Sequence, residues 1–322
     1  MTTEQHKIGS GFGPTTSTME ILADVDLTGR TAVVTGGYSG IGLAAARALA
    51  AAGAQVVVPA RRLQAAQDAI ADIPGATAGE MDLGDQDSVS AFAERFLASH
   101  QSLDILVAAA GIMATPLTRT REGWESQFAV NHLGHYTLVN RLWPALRAAG
   151  QARVVSLSSN GHYSSPIRWD DPQFATTDYD KWLAYGQAKT ANVLFTVRLD
   201  ALGQGSGVRA FAVHPGVSDT SLSRYIPRDE LIAMGWVNED GAPVAGYTPK
   251  TPDQAAAPAI WAATSPQLTD KGGVYIEDCD ISEITTTFDF SAGGVMPHAI
   301  DPDEATRLWA LSAKLTGVDA FA

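Results

Sequence analysis

A glycine-rich turn near the start of the chain constrains its fold more than any other feature. The apolar segment Thr31-Ala-Val-Val-Thr35 has the composition of a buried strand, and Gly36, Gly40 and Gly42 follow it directly before an alanine-rich stretch. Glycine at these positions lets the backbone approach a pyrophosphate, whose negative charge the N-terminus of the following helix then stabilises. A strand, a glycine turn and a helix in this order predict a dinucleotide-binding fold.

Short apolar segments alternate with amphipathic or alanine-rich segments as far as Gly216, which is typical of repeated βαβ units. The alternation predicts a single-domain α/β fold: a Rossmann-type, doubly wound parallel sheet of about seven strands, with helices on both faces. We predict strands at Thr31–Thr35, Gln55–Ala60, Ala76–Met81, Asp104–Ala109, Arg153–Leu157, Val208–Val213 and Gly273–Ile276. We predict helices at Ile41–Ala52, Leu63–Asp72, Asp87–His100, Gly123–Ala149 with a break, Asp180–Leu202 and Pro302–Leu315, the last with Trp309 facing inward.

Two segments lie outside this alternation. Residues 1–26 begin with a polar stretch rich in Gly, Ser and Thr, which we interpret as a flexible arm before a single Rossmann-type domain at 27–322. Residues 218–251, after the sixth strand, mix helix-forming pieces with glycine and proline. Loops at the carboxyl ends of strands form the ligand sites of such sheets, so this segment is predicted to be a lid over a substrate.

Composition excludes several classes of function. A formal charge of −13 argues against nonspecific nucleic-acid binding, which needs a basic surface. No apolar run approaches the length of a membrane helix, so we expect no membrane insertion. The single cysteine, Cys279, excludes a disulfide framework and a thiolate metal cluster, and is expected to be a buried thiol in a cytoplasmic protein. The histidines have no metal-site spacing, so we predict no metal.

The spacing Thr-Gly-x-x-x-Gly-x-Gly at 35–42, followed far downstream by Tyr185-Gly-Gln-Ala-Lys189, resembles the short-chain dehydrogenase/reductase family from about Leu27 to Thr220. Asn131-His-Leu-Gly-His135, Tyr185–Asn192 and the insertion Trp169-Asp-Asp-Pro172 are most similar to the retinol dehydrogenase and WW-domain oxidoreductase branch. The chain departs from the family at Ala108-Ala-Ala-Gly111, where asparagines usually stand, and this puts local stability in question.

The second strand ends in Ala60, Arg61 and Arg62, where an acidic residue would bind the ribose of NAD. NADP(H) is therefore favoured and NAD(H) is the alternative, since arginine pairs well with a 2′-phosphate. The resemblance gives Arg61 that role, although both arginines are also compatible with solvated charges at a helix start.

The resemblance also implies that Asp82 binds adenine, for which helix capping is the alternative, and that Thr220 contacts the nicotinamide carboxamide. The predicted cofactor residues are Gly36, Tyr38, Ser39, Gly40, Ile41, Gly42, Arg61, Arg62, Asp82, Leu83, Ala109, Gly111, Tyr185, Lys189, Pro215, Gly216, Val217 and Thr220.

Tyr185 and Lys189 lie one helical turn apart. The ammonium is expected to lower the phenol pKa toward the working range, so that Tyr185 acts as general acid and base. An ordinary surface pair is the alternative. By resemblance, Ser159 orients the substrate oxygen and Asn131 holds a water beside the lysine, although an asparagine that bends or caps a helix is also compatible with the pattern. The predicted catalytic set is Asn131, Ser159, Tyr185 and Lys189.

These residues predict an NADP(H)-dependent enzyme that interconverts an alcohol with a ketone or aldehyde. Apolar lid residues favour a large apolar or aromatic substrate, with candidate contacts at Met113, His162, Tyr225 and Trp236. A nicotinamide-binding regulator without turnover and a carbon–carbon double-bond reductase are the alternatives. Family members self-associate through the helices that carry Asn131 and Tyr185, so the resemblance implies a homodimer or homotetramer.

Overall fold

The computed structural model describes residues 3–218, 220–241, 244, 249–289 and 292–322. The predicted doubly wound sheet is confirmed, with eight strands in the order β3-β2-β1-β4-β5-β6-β7-β8. The first seven run parallel, and the short β8 pairs antiparallel with β7. The strands are β1 (Thr31–Thr35), β2 (Gln55–Ala60), β3 (Ala76–Glu80), β4 (Ile105–Ala108), β5 (Arg153–Leu157), β6 (Arg209–His214), β7 (Val274–Glu277) and β8 (Asp280–Ile281).

Twelve α-helices occur in the described part of the chain. They are α1 (Thr18–Ile21), α2 (Gly40–Ala51), α3 (Leu63–Ile70), α4 (Gln86–Ser99), α5 (Ser126–Phe128), α6 (Gly134–Arg141), α7 (Trp143–Ala149), α8 (Lys181–Gly203), α9 (Arg228–Ala233), α10 (Pro252–Thr264), α11 (Pro297–Ile300) and α12 (Pro302–Thr316). A π-helical segment at Ala129–Leu133 joins α5 to α6, and 3₁₀ turns occupy Asn160–Ser164, Gln204–Ser206, Ser221–Tyr225 and Pro266–Leu268. Among the described residues we found no helix long and apolar enough to cross a membrane.

The sheet is buried on both faces, which accounts for its nearly continuous apolar strands. Val34 and Val58 contribute to the core under α2 and α10, whereas Val33 and Val57 contribute to the core under α4, α6 and α8. Successive strand residues point to opposite faces, so each βαβ unit fills both cores. This arrangement brings the carboxyl ends of the parallel strands to one edge of the sheet, where the site lies.

The predicted lid begins with the 3₁₀ turn and α9. Two charged contacts attach it to the body of the protein: Glu230 accepts bonds from Lys181 Nζ (2.5 Å) and Trp182 Nε1 (2.7 Å), and Lys250 Nζ lies 2.5 Å from Asp278 Oδ1. Asp219 and residues 242, 243 and 245–248 of the predicted lid, including Pro243 and Gly246, lie outside the described residues.

Residues from 3 onward, predicted as part of a flexible arm, make specific contacts with the end of the sheet. The Asp280 carboxylate accepts backbone N–H bonds from Ile8, Gly9 and Ser10. The Gln5 amide bonds to the backbone N–H and C=O of Tyr275 and to the C=O of Ser282. Further on, α1 buries Ile21 in the core. Composition gave no sign of these contacts, because polar side chains make most of them.

Helix α12 forms as predicted and covers the outer face of α6 and α8. Trp309 is 6% exposed, stacks parallel on Phe195 at 5.8 Å and meets Tyr136 edge-on at 4.9 Å between ring centroids. After the helix, the Tyr136 hydroxyl donates to Val318 O (2.9 Å). The C-terminal segment thus occupies the surface that the family resemblance assigned to self-association.

Candidate active site

The glycine turn leaves a backbone cradle at the N-terminus of α2. Gly36 and Gly40 have positive φ angles of 68° and 51°, which only glycine adopts readily. A Cβ on Gly42 would overlap the Gly36 carbonyl. Ser39, the N-cap residue, makes no side-chain capping bond, so the positive end of the helix is open to an anion. The turn therefore fits the pyrophosphate of a dinucleotide.

The loop after β6 closes over the same turn. An ideal Cβ on Gly40 would lie 3.2 Å from Thr220 Cγ2, which places Thr220 directly beside the glycine turn. Pro215, Gly216 (φ 83°) and the exposed Val217 lead from β6 to this point. The residues predicted to contact the pyrophosphate and the nicotinamide thus lie next to each other, where this loop meets the glycine turn.

The residues predicted to bind the adenosine part of the cofactor lie at the end of β2 and in the turn after β3. Ala60 is buried, whereas Arg61 and Arg62 are exposed and precede α3. Asp85, rather than Asp82, caps α4 by accepting from the backbone N–H groups of residues 87 and 88. The alternative of Asp82 as a helix cap is therefore wrong. Its Oδ1 accepts from Gly84 N–H in a tight turn, and neighbouring Leu83 is buried against α6.

A chain of hydrogen bonds replaces the missing asparagines at the end of β4. Ala110 N–H donates to Thr35 Oγ1 (3.0 Å), and Thr35 Oγ1 lies 2.9 Å from His135 Nε2. His135 Nδ1 lies 3.0 Å from the Asn131 carbonyl. Because that carbonyl only accepts, Nδ1 carries the proton and Nε2 accepts from the Thr35 hydroxyl. His135 thus links β1, β4 and α6, a role that we missed although it lies one helical turn from Asn131.

Asn131 lies in the π-helical segment, an irregularity that recurs at functional sites. Its side chain accepts from Ile112 N–H (2.8 Å) and donates to Ile112 O (2.9 Å). Gly111 lies between the two predicted catalytic groups, since its ideal Cβ would be 3.2 Å from Asn131 Oδ1 and 3.9 Å from Lys189 Nζ. The structure therefore brings Asn131, Gly111 and Lys189 together.

Ser159, Tyr185 and Lys189 meet at the carboxyl end of β5. Asp180 caps α8 through the backbone N–H groups of Trp182 and Leu183, so the helix starts one turn before Tyr185. The side chain of Ser159 lies beside Tyr185, since an ideal Cβ on Gly161 would be 3.4 Å from Ser159 Oγ and 2.6 Å from Tyr185 Cε1. Lys189 Nζ lies 5.5 Å from the centroid of the Tyr185 ring and donates to Leu157 O (2.9 Å). This is the arrangement of a phenol that can exchange a proton with an oxygen held by Ser159.

Two glycines allow this close approach. An ideal Cβ on Gly161 would lie 2.6 Å from Tyr185 Cε1, and one on Gly186 would lie 2.9 Å from the Gly161 carbonyl. Neither glycine has the positive φ angle that would itself require glycine. They are needed because the 3₁₀ turn at Asn160–Ser164 packs directly on α8.

Burial shifts the pKa values of both titratable groups toward their neutral forms. It raises the pKa of Tyr185 to about 12, although the Ser159 hydrogen bond lowers it, and it lowers the pKa of Lys189 to about 8. The expected lowering of the tyrosine pKa is not found in this structure, because burial of the phenol has the largest effect on it. A neutral Tyr185 is suited to donate a proton during carbonyl reduction.

Apolar side chains surround Tyr185 on the lid side. Met113, Ala114 and Ile226 are buried with it, and Trp182, Leu222, Leu231 and Trp236 pack against them. The predicted contacts Met113 and Trp236 belong to this cluster. Tyr225 is 45% exposed, with Arg224 over its ring. His162 is fully buried, with backbone groups at both ring nitrogens, so it does not line the cleft.

Comparison with known proteins agrees with this geometry. The short chain dehydrogenase family model matches residues 30–231. The chain is 44% identical to a probable oxidoreductase of Streptomyces lividans, over 90% of this chain and 98% of the relative. It is 35% identical to human retinol dehydrogenase 13, over 91% of this chain and 86% of the relative. Among solved structures, the Pseudomonas aeruginosa RhlG/NADP active-site complex matches with a TM-score of 0.62 and 25% identity, over 78% of this chain and 95% of that chain.

Proposed function

This chain belongs to the short-chain dehydrogenase family and is related to the retinol dehydrogenases, and we propose that it is an NADP(H)-dependent oxidoreductase. In this proposal the enzyme interconverts an alcohol with a ketone or aldehyde on a large apolar or aromatic substrate. The observation that carries the proposal is that Ser159 lies beside the Tyr185 ring at the carboxyl end of β5, with Lys189 one turn further along the same buried helix.

A nicotinamide bound in the cleft would supply or accept the hydride. Ser159 holds the substrate oxygen through its hydroxyl and stabilises the charge that develops there. Tyr185 donates its proton to that oxygen in reduction and removes it in oxidation. Lys189 and Asn131 lie behind the tyrosine, on the side from which it is reprotonated. The apolar cluster around Tyr185 keeps water from the reacting carbonyl.

NADP(H) is the proposed cofactor, with NAD(H) as the alternative. Two features favour the phosphorylated form: β2 ends in Ala60 rather than in an acidic residue, and the exposed Arg61 can pair with a 2′-phosphate. The NADP in the similar RhlG complex supports the same choice. Leu83 and Ala109 complete the proposed adenosine site, with Tyr38 and Ile41 beside the pyrophosphate.

The substrate proposal rests on the apolar cluster at Tyr185. Met113 and Ile226 are less than a tenth exposed, and Trp182 meets Trp236 edge-on at 6.2 Å between ring centroids. Large aromatic and aliphatic surfaces of this kind favour an apolar ligand. The name of one relative, retinol dehydrogenase 13, indicates an apolar alcohol and makes retinal a suitable first probe.

The test measures NADPH oxidation with a panel of aromatic, alicyclic and polyene carbonyl compounds, beside a Tyr185→Phe variant. We expect turnover of apolar carbonyls that Tyr185→Phe abolishes while it still binds NADPH. Tight NADPH binding without turnover of any compound would favour the nicotinamide-binding regulator. Product analysis separates an alcohol from a saturated carbonyl and so decides between a ketoreductase and a double-bond reductase.

A homodimer or homotetramer remains part of the proposal, but the contact surface differs from the one that the resemblance implies. Use of α6 and α8 would require Trp309 to leave Tyr136 and Phe195. We therefore propose that self-association uses another face of the domain at 27–322. A cytoplasmic location is also proposed, which agrees with the single buried thiol of Cys279.

A further inference from the structure

His162 lies three residues after Ser159, in the 3₁₀ turn at Asn160–Ser164, and is fully buried. Its Nδ1 atom lies 2.7 Å from the Ser159 carbonyl oxygen. Its Nε2 atom accepts from the backbone N–H of Met296 at 3.1 Å. An amide N–H can only donate and a carbonyl can only accept, so the proton is on Nδ1. The backbone therefore fixes one neutral tautomer, and burial agrees with it by lowering the pKa of His162 to about 4.

We propose that His162 is a positioning residue for the reaction: it holds the Ser159 backbone so that the serine hydroxyl faces Tyr185, and it links this serine to the C-terminal segment at Met296. The inference rests on the proposed oxidoreductase function of the same site. His162 itself contacts neither substrate nor cofactor.

The surroundings of the imidazole leave it little freedom to move. Its ring meets Tyr163 edge-on at 4.6 Å and Tyr275 at 5.1 Å between centroids. The His162 carbonyl accepts from Thr190 Oγ1 (3.2 Å) and lies 3.2 Å from His298 Nε2. Thr190 follows Lys189 on α8. The residue is therefore held by the serine turn, by α8 and by the segment before α11.

The other hydrogen bonds of Ser159 lie within the same turn, and its carbonyl also accepts from the backbone N–H of His162 (3.0 Å). Ser159 Oγ accepts from Gly161 N–H (3.0 Å), a bond within the same turn. If the turn shifts, the hydroxyl and its Tyr185 contact shift with it. A displacement of about 1 Å at a reacting group can cost roughly 100-fold in rate, so a bond to the Ser159 backbone acts directly on catalysis.

Met296→Pro, compared with Met296→Ala, tests the link without altering the imidazole. Met296 has φ −72° and ψ 141°, angles that proline adopts, and residue 297 is already proline. Proline removes the N–H that donates to His162, whereas alanine keeps it and controls for loss of the side chain. A second pair of variants changes the ring itself: His162→Gln keeps a donor and an acceptor at this position, and His162→Phe removes both. This pair tests the positioning role if the proline variant does not fold.

Two readouts are compared. With NADPH and retinal as probes, we expect Met296→Pro and His162→Phe to lower kcat by about 10- to 100-fold, with unchanged NADPH affinity, and His162→Gln to recover part of the loss. With ¹³C-labelled tyrosine, we expect the NMR signal of Tyr185, assigned through Tyr185→Phe, to move in both variants and also in Ser159→Ala. This second readout needs no substrate, so it stays informative if the proposed activity is absent.

Equal kcat and an unmoved Tyr185 signal in Met296→Pro and Met296→Ala would overturn the positioning role. A His162→Phe protein that only melts earlier, with the kcat and the Tyr185 signal of the wild type, would do the same. A shifted Tyr185 signal without turnover on any probe would support the positioning of Ser159 and count against the oxidoreductase proposal instead.

Discussion

Gly161→Ala is expected to disable the site through a single methyl group. The added Cβ would lie 2.6 Å from Tyr185 Cε1 and 2.9 Å from Cδ1, whereas ordinary van der Waals contact begins at 3.4 Å. The overlap is therefore about 0.8 Å. Tyr185 is only 5% exposed, and the Gly161 backbone is held by its bond to Ser159 Oγ, so the tyrosine ring must move away from Gly161 and its position relative to Ser159 changes.

A shift of this size is close to the 1 Å that can cost about 100-fold in rate. We therefore expect kcat to fall by about two orders of magnitude, together with a loss of about 1–3 kcal/mol in the free energy of unfolding from overpacking. NADPH affinity should change far less than kcat, because Gly161 is not part of the glycine turn and Tyr185 is only one of the predicted cofactor contacts.

The assay compares steady-state kcat, NADPH binding and thermal unfolding for Gly161→Ala and the matched control Gly205→Ala. Gly205 lies in the 3₁₀ turn at Gln204–Ser206 with no atom within 4 Å of its ideal Cβ and without a positive φ angle. The control should keep the activity of the wild type. If Gly161→Ala is as active as the control, the ring is not confined as described and the geometric reasoning is refuted.

Three further predictions concern charge and packing. Burial lowers the pKa of Lys189 from 10.5 to about 8, so the ammonium costs stability below pH 8 and the cost disappears as the pH rises to 10.5. Lys189→Met should therefore be inactive, but its free energy of unfolding at neutral pH should exceed that of the wild type by up to about 3 kcal/mol. If denaturant titrations above pH 10.5 still show this gain in unfolding free energy, the buried ammonium is not its cause. Arg61→Ala should raise KM for NADPH by about 10- to 100-fold, the equivalent of one charged hydrogen bond, and leave KM for NADH unchanged. An equal rise in KM for both cofactors would show that Arg61 does not bind the 2′-phosphate. Trp309→Ala should cost about 3–5 kcal/mol of unfolding free energy without changing the mass measured by light scattering, and a lower mass would show that Trp309 belongs to a subunit interface.

Sequence patterns predicted the sheet well because its strands carry strong local signals. Two of the first three predicted strands, Thr31–Thr35 and Gln55–Ala60, match the structure at both ends. Each contains a run of valines bounded by polar residues or glycine. Because the valines must be buried in the sheet, the ends of the strand are well defined by the sequence. The glycine turn and the Tyr185–Lys189 pair depend only on local chain geometry, and both lie at the same edge of the sheet.

Features that depend on distant contacts were missed or misjudged. Helix α10 was not predicted, because it contains Pro258 and follows the irregular lid without a clear start signal. All of its residues from Ala255 to Ala263 are nevertheless buried. His162 was a candidate substrate contact, whereas the structure buries it, with its Nε2 bonded to the backbone N–H of Met296, far along the chain. The pKa of Tyr185 was misjudged for the same reason: spacing reveals Lys189 but not the degree of burial.

The two-residue strand β8 and the side chain of Gln5 have a consequence for how molecules of this protein behave at high concentration. A parallel sheet that ended at β7 would offer a row of free amide and carbonyl groups to the strand of another molecule, which is the first step of fibre growth. Here β8 pairs with Ile276 and Glu277, and the Gln5 carboxamide stands in for a peptide group at Tyr275. Removal of the first few residues would expose the backbone groups of Tyr275, so that this edge of the sheet could pair with a strand of another molecule and promote aggregation.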